Sequence, residues 1–181
     1  MTLDSIEDKL SSAMGTGSSM PPGHRQCTIE ITNKSSHYTL RDVSVYIFSG
    51  FCASSLPLQI EPSSSGKALF SKTGGTACGA VGVFTYDLYS KSTGQTAGSM
   101  AVMFSVPFDY NLYSNWYAVG VFEQSRACNY DLYVQMYYGE GDMFIRKKAG
   151  EDIDFKSGPF AIPASMTDTC QPILSLKVED S

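Results

Sequence analysis

The stretch SMAVMFSVPFDYNLYSNWYAVGVF, residues 99–122, holds the features that decide the fold. Apolar residues dominate 99–106 and again 118–122, and the segment between them is rich in Asn, Ser and aromatic residues. A membrane-spanning helix needs about 20 consecutive apolar residues, whereas Pro107 and Asn111 interrupt this stretch. It therefore predicts a β-strand, a surface loop and a second β-strand.

Short apolar segments of the same kind recur along the chain, separated by clusters of Gly, Pro and Ser. The segments predicted as strands are Cys27–Thr32, Val43–Phe48, Leu58–Ile60, Lys67–Phe70, Gly79–Tyr89, Ser99–Val106, Ala118–Phe122, Met143–Arg146, Ile153–Phe155 and Ile173–Val178. Many short strands at such spacing are typical of a β-sandwich. The sequence thus predicts a mainly β domain over residues 25–181.

Composition and net charge exclude some classes of function. The chain has 181 residues, of which 43% are hydrophobic, enough to bury the core of one domain. Lys and Arg number 13 against 18 Asp and Glu, which gives a formal net charge of -5. A nucleic-acid backbone attracts basic proteins, so no nucleic-acid partner is expected.

The sequence predicts neither an enzyme nor a metal protein. Its five cysteines are odd in number and include no CxxC pair, so we expect reduced thiols rather than disulfides or a zinc site. The two histidines, His24 and His37, have no Ser, Cys or carboxylate near them in sequence that would form a nucleophile and base pair. No catalytic residue, metal ligand or cofactor is therefore predicted.

The N-terminus predicts a short amphipathic helix over residues 1–14. Its apolar positions recur at spacings of three and four and are Leu3, Ile6, Leu10 and Met14. Residues 15–24 have the Gly, Ser and Pro composition of a linker. The segment lacks the basic and unbroken apolar regions of a secretory signal, so two routes stay open: the protein remains in the cytosol, or a leader has been removed and it is secreted.

A second helix is predicted near residues 128–138. Tyr130, Tyr133, Val134, Tyr137 and Tyr138 recur at helical spacing and form one face. In one interpretation, this face is buried against the sheet. The other leaves it half exposed, and it is favoured because four buried phenols would each need a hydrogen-bond partner.

The loop in residues 107–117 is unusually aromatic for a surface loop. Its large side chains are Phe108, Tyr110, Leu112, Tyr113, Trp116 and Tyr117. Tyr and Trp favour the membrane–water interface, and together with the tyrosine helix they could form a cage that binds a quaternary ammonium. The alternative is a plug that folds over the end of the sandwich.

The segment from Phe104 to Trp116 resembles the membrane-binding segment of the actinoporins, the pore-forming cytolysins of sea anemones. Three further segments resemble the same family: Gly66–Phe70, Gly79–Val83 and Tyr133–Tyr138. The resemblance implies an actinoporin-like β-sandwich flanked by two short helices. It also implies a protein that is monomeric in solution, binds phosphocholine lipids with a preference for sphingomyelin over phosphatidylcholine, and self-associates on membranes into a cation-conducting pore.

The resemblance also assigns a phosphocholine site. Its positions are Ser49, Val81, Ser105, Pro107, Tyr113, Tyr133, Tyr137 and Tyr138. The rings of Tyr113, Tyr133 and Tyr137 would hold the choline ammonium over an apolar floor of Val81 and Pro107. The other three side chains would donate hydroxyl hydrogen bonds to the phosphate, because no Lys or Arg is predicted near it.

Further positions are assigned to contact with the membrane. Those at the interface are Phe108, Tyr110, Leu112, Trp116 and Tyr117, and those of the inserting helix are Leu3, Ile6, Leu10 and Met14. A helix over residues 1–14 is about 20 Å long, shorter than a hydrocarbon core of about 30 Å. Headgroup binding is therefore better supported than perforation.

Several features depart from the family. Tyr117 follows Trp116 where anemone members commonly have two tryptophans, Glu140-Gly-Asp142 stands in place of an Arg-Gly-Asp triplet, and the pI is near 4.9. Two alternatives therefore stay open. One is a glycan-binding lectin-like module with the same sandwich fold, and the other is an intracellular interaction protein without pore activity.

Overall fold

The computed structural model describes residues 23–181, which form two β-sheets and one helix. The elements are β1 (Gln26–Asn33), β2 (Tyr38–Ser49), β3 (Phe51–Ser54), β4 (Ser64–Ser71), β5 (Ala80–Ser90), β6 (Gln95–Val106), β7 (Trp116–Phe122), α1 (Tyr130–Tyr138), β8 (Phe144–Lys148), β9 (Ile153–Ser157), β10 (Phe160–Met166) and β11 (Ile173–Asp180). The predicted N-terminal helix, 1–14, lies outside the described residues, as does most of the linker. Within 23–181, no helix is both long and apolar enough to cross a membrane.

The two sheets pack face to face as a sandwich. One sheet has the strand order β3-β4-β1-β11-β10-β9 and the other has β2-β5-β6-β7-β8. All named pairings are antiparallel except that of β1 with β11. The chain crosses between sheets at Gly50, whose φ is +92° and whose missing Cβ would collide with the carbonyl of Ser71. Only glycine fits this corner.

The middle strands of the five-stranded sheet are buried on both faces. In β5, Phe84 and Tyr86 belong to the core between the sheets, whereas Val81 and Val83 belong to a second apolar cluster that includes residues of α1. The same alternation continues in β6 and β7. A mainly β sandwich was predicted and is confirmed, and α1 is a third layer on one outer face.

Nine of the ten predicted strands overlap an observed strand. The exception is Leu58–Ile60, where Ile60 forms only an isolated bridge with Leu40. The sequence missed β3, which has four residues, and β10, which contains Pro163. Proline cannot donate to a sheet ladder, and the register of β10 with β11 accordingly skips from Ala161 to Ala164.

Tyr117 corrects a sequence-based prediction. The loop was predicted to run through Tyr117 and to place it at the membrane interface, but β7 begins one residue earlier, at Trp116. Successive strand residues point to opposite faces, so Tyr117 enters the core between the sheets and is 0% exposed. Its hydroxyl donates hydrogen bonds to the carbonyls of Glu151 (2.6 Å) and Ala164 (3.2 Å). The interfacial assignment of Tyr117 is therefore wrong.

Tyr117→Phe tests this position. The variant removes this donor from the buried Ala164 carbonyl and the partly buried Glu151 carbonyl, so we expect the free energy of unfolding to fall by about 1–2 kcal/mol in urea denaturation. Tyr130→Phe is the matched control, because the Tyr130 ring is 51% exposed and its hydroxyl has no hydrogen-bond partner within residues 23–181. Equal effects of the two substitutions would contradict the core assignment.

Burial of Tyr117 also predicts that the protein loses stability in alkali. Burial is the main cause that raises the pKa of Tyr117 from 10 to about 12, with Asp152 and Glu151 adding to it. Its stabilising contribution is therefore complete below pH 10 and is lost as the pH rises through about 12. In urea denaturation between these pH values, stability should fall less steeply for Tyr117→Phe than for the parent. An equal fall of stability with pH in the parent and in Tyr117→Phe would contradict this role of Tyr117.

Candidate functional site

A row of side chains crosses the five-stranded sheet on the face covered by α1. Strand register pairs Ser49 with Val81, Val81 with Ser105, Ser105 with Trp116, and Trp116 with Lys148. Directly paired residues of antiparallel strands share a face and have neighbouring side chains. The register therefore brings Ser49, Val81 and Ser105, which the sequence assigned to one site, into one row beside Trp116.

Helix α1 forms one wall above this row. Asn129 caps its N-terminus by accepting a 3.1 Å hydrogen bond from the Leu132 backbone N–H. The helix ends before Gly139, where a Cβ would collide with the Gln135 carbonyl. Leu132, Tyr133 and Met136 are its buried residues, so the buried face is rotated away from the tyrosine face.

The tyrosine face is consequently half exposed, as the favoured interpretation predicted. Tyr133 is 6% exposed, Tyr137 is half-buried, and Tyr130 and Tyr138 are 51% and 74% exposed. The predicted helix near 128–138 is thus confirmed. Its phenols range from the edge of the apolar layer into solvent, an arrangement that suits a ligand with an apolar and a polar end.

Phe48 completes the aromatic wall and was missed by the sequence-based analysis. Its ring stacks on Tyr133 with centroids 5.2 Å apart, and Tyr137 stacks on Tyr133 at 5.8 Å. Little of the Tyr133 ring is therefore free to touch a ligand. The alternation of Tyr46 and Phe48 in β2 was the signal, because it places both rings on the side that contacts Tyr130 of α1.

Tyr133 and Tyr137 of this wall are protonated at neutral pH. Burial raises the pKa of Tyr137 above its usual value of 10, with Tyr138 adding to the rise, while Arg146 and the Ser105 hydroxyl lower it. Burial also raises the pKa of Tyr133, and the neighbouring phenols of Tyr137 and Tyr138 contribute. Each group thus remains a hydroxyl able to donate a hydrogen bond to an anion.

The aromatic loop begins and ends at fixed points. Arg25 donates hydrogen bonds to the carbonyls of Pro107 (3.1 Å) and Phe108 (2.7 Å). At the other end, buried Asn115 donates to the Thr169 carbonyl (2.6 Å) and accepts from the Tyr110 hydroxyl (2.8 Å). These contacts hold the loop against the sandwich.

The loop is part plug and part projection. The rings of Phe108 and Tyr110 lie under the Arg25 guanidinium, with its carbon 5.2 Å and 4.6 Å from their centroids. Leu112 and Tyr113, by contrast, are 71% and 56% exposed. The tip thus projects two apolar or aromatic side chains from an anchored base.

Two cations lie beside the predicted site, contrary to the expectation that no Lys or Arg is near it. The Arg146 guanidinium carbon lies 3.7 Å from the centroid of the Trp116 ring and 5.3 Å from that of Tyr137. The Lys148 ammonium lies 5.6 Å from Trp116. The sequence signal was the alternation of Phe144, Arg146 and Lys148, which puts both cations on the α1 face of β8.

The chain is similar to several known proteins. A model of the sea anemone cytotoxic protein family matches residues 16–179. Bryoporin of Physcomitrium patens is 33% identical over 144 residues, which cover 78% of this chain and 77% of bryoporin. DELTA-stichotoxin-Hcr4b of Radianthus crispa is 39% identical over 110 residues, 59% of this chain and 55% of that protein, so the match spans about half of that relative.

A solved structure shares the architecture at low identity. The crystal structure of the lipid binding protein Nakanori superposes with a TM-score of 0.66 at 12% identity, covering 96% of this chain and 76% of that one. Identity this low shows a common fold only. Because the family model matches most of the chain and bryoporin is similar over most of both lengths, the chain belongs to the sea anemone cytotoxic protein family, the actinoporins.

Proposed function

We propose that this protein binds membranes by recognising phosphocholine headgroups, with sphingomyelin preferred over phosphatidylcholine, and self-associates there into a cation-conducting pore. The observation that carries the proposal is the anchored aromatic loop, whose exposed tip joins the strand ends that hold Ser105 and Trp116. Membership of a cytotoxic protein family supports the same function.

The loop tip is suited to the interfacial layer of a bilayer. Leu112 and Tyr113 are already exposed, and Arg25 and Asn115 fix the backbone that carries them. Insertion of a fixed loop costs less conformational entropy than insertion of a mobile one. Trp116, at the base of the loop, supplies a ring that favours the headgroup region.

The headgroup would bind between this tip and α1. The exposed ring of Tyr113 and the half-buried ring of Tyr137 would contact the choline ammonium by cation–π attraction. Val81 lies beneath them, with Pro107 at the start of the loop. Ser49, Ser105 and Tyr138 would supply hydroxyls to the phosphate. Tyr133, which is covered by Phe48, acts as a wall more than as a contact surface.

Substitution of the two choline rings tests the site. We expect Tyr113→Ala and Tyr137→Ala each to weaken binding to sphingomyelin and phosphatidylcholine vesicles by about 2- to 30-fold in sedimentation assays, since a cation–π contact contributes about 0.5–2 kcal/mol. Tyr89→Ala is the control: Tyr89 is a half-exposed tyrosine at the opposite end of β5 from Val81. Unchanged binding of both site variants would contradict the proposal.

Pore formation depends on the N-terminal segment, whose predicted inserting residues lie outside the described part of the chain. Because a helix over 1–14 is about 20 Å long, residues of the linker would also have to become helical to cross a bilayer of about 30 Å. Gly15, Gly17, Pro21 and Pro22 oppose this, proline by about 3 kcal/mol in a helix interior. Binding and perforation are therefore separable functions of two segments.

Deletion of residues 1–14 tests whether membrane binding and perforation can be separated. We expect dye release from sphingomyelin-containing vesicles to be lost, while sedimentation with the same vesicles stays within about twofold of the parent. Dye release by the truncated chain would show that another segment perforates the bilayer. Failure of the parent to bind any vesicle, together with a positive glycan array, would favour the lectin-like alternative.

A further inference from the structure

We propose that Arg146 binds the phosphate of the headgroup, so that a guanidinium and not only neutral hydroxyls holds the anion. This inference rests on the proposed function, because it places the residue in the same headgroup site. The ligand chemistry is a phosphate ester anion, carried by a lipid or by a soluble phosphocholine. Arg146 would then determine the requirement for phosphate, and the exposed rings would determine the preference for choline.

The position of Arg146 follows from the sheet register. Arg146 pairs with Ala118, and Ala118 belongs to the apolar cluster under α1, so the side chain leaves β8 on the site's face. It extends across Trp116 and reaches to 5.3 Å from the Tyr137 ring. A guanidinium stacked on a ring by its face keeps the N–H donors at its edge available for a planar or tetrahedral anion.

Its charge is not neutralised within the described chain. None of the ion pairs between residues 23–181 includes Arg146 or its neighbour Lys148. The Nε atom of Arg146 is buried and has no hydrogen-bond partner there. A buried donor without an acceptor is costly, so the side chain gains if it turns to bring Nε to a bound phosphate. Lys147, whose side chain leaves the opposite face, pairs instead with Glu151.

The hydroxyls predicted to bind phosphate lie on the same side. Ser105 pairs in register with Trp116, on which Arg146 stacks. The Arg146 guanidinium carbon also lies 5.3 Å from the centroid of the Tyr137 ring. Serine, tyrosine and arginine donors can therefore meet at one anion, and a charge-assisted bond is about twice as strong as a neutral one.

The single tryptophan makes the site directly observable. Trp116 is the only Trp of the chain, and its ring contacts the Arg146 guanidinium. Phosphocholine, inorganic phosphate and choline chloride are titrated into the full-length protein at constant ionic strength, and Trp116 fluorescence is followed. We expect a saturable change with phosphocholine and with phosphate, and none with choline chloride up to the concentration at which phosphocholine saturates.

Three variants assign the response. Arg146→Gln should raise the apparent dissociation constant for phosphocholine at least tenfold, and Arg146→Lys, which keeps the charge but loses the planar stack, should have a smaller effect. Lys177→Gln, on the other sheet, should behave as the parent. Near-ultraviolet circular dichroism confirms that each variant is folded. If Arg146→Gln is unfolded, Arg146→Lys decides, and an unchanged dissociation constant for phosphocholine in that variant overturns the proposal.

Vesicle sedimentation keeps this inference distinct from the proposed function. A phosphate response that depends on Arg146, without binding of the parent to sphingomyelin or phosphatidylcholine vesicles, supports the anion site and contradicts the membrane function. Vesicle binding that is equal for the parent and Arg146→Gln overturns the role of Arg146 and leaves the membrane function intact. A fluorescence response to phosphate that Arg146→Gln retains also overturns it, because the anion then binds elsewhere.

Discussion

The burial of β5, β6 and β7 on both faces is the constraint on which the rest of this structure depends. One face meets the other sheet through residues such as Phe84 and Phe104, and the opposite face meets α1 through Val83 and Met103. A strand with two apolar faces must be covered twice. The short helix is therefore needed to cover the second face, and its position fixes where its phenols emerge at the edge of the apolar layer.

Strand register determines which side chains come together in the candidate site. Because side chains alternate along each strand, a shift of one residue would exchange the two faces. The observed register puts Ser105 and Trp116 under the helix and sends Tyr117 into the core. Two adjacent aromatic residues thus have opposite roles. The loop before them is anchored by Arg25, and Gly23 lies against Phe108, so the loop and the beginning of the described chain share one contact region.

Sequence alone predicted the helix and strands better than the contacts between them. Short apolar runs in β5 and β6 and helical spacing in α1 gave the correct element types, because a short apolar run bounded by turn residues is typical of a buried strand and a 3.6-residue period is typical of a helix. Pro163 concealed β10, since a proline within a strand opposes that assignment. Tyr117 was misplaced because the predicted loop ended two residues too late and so missed the alternation of faces that begins at Trp116. Alternation within β2 and β8 shows which side chains of one strand share a face, but the tyrosines that Phe48 and Arg146 contact are distant in sequence, and no local pattern identifies them.

Net charge is a poor description of this surface. The chain carries a formal charge of -5, which as an average argues against any anionic partner. Charges separated by more than about 8–10 Å are largely screened at physiological ionic strength, so an approaching headgroup responds to the nearest groups. Those groups include Arg25 and Lys72 at Phe108, and Arg146 and Lys148 at Trp116. The surface beside Trp116 therefore carries two cations, Arg146 and Lys148, and it can accept a phosphate although the protein as a whole is acidic.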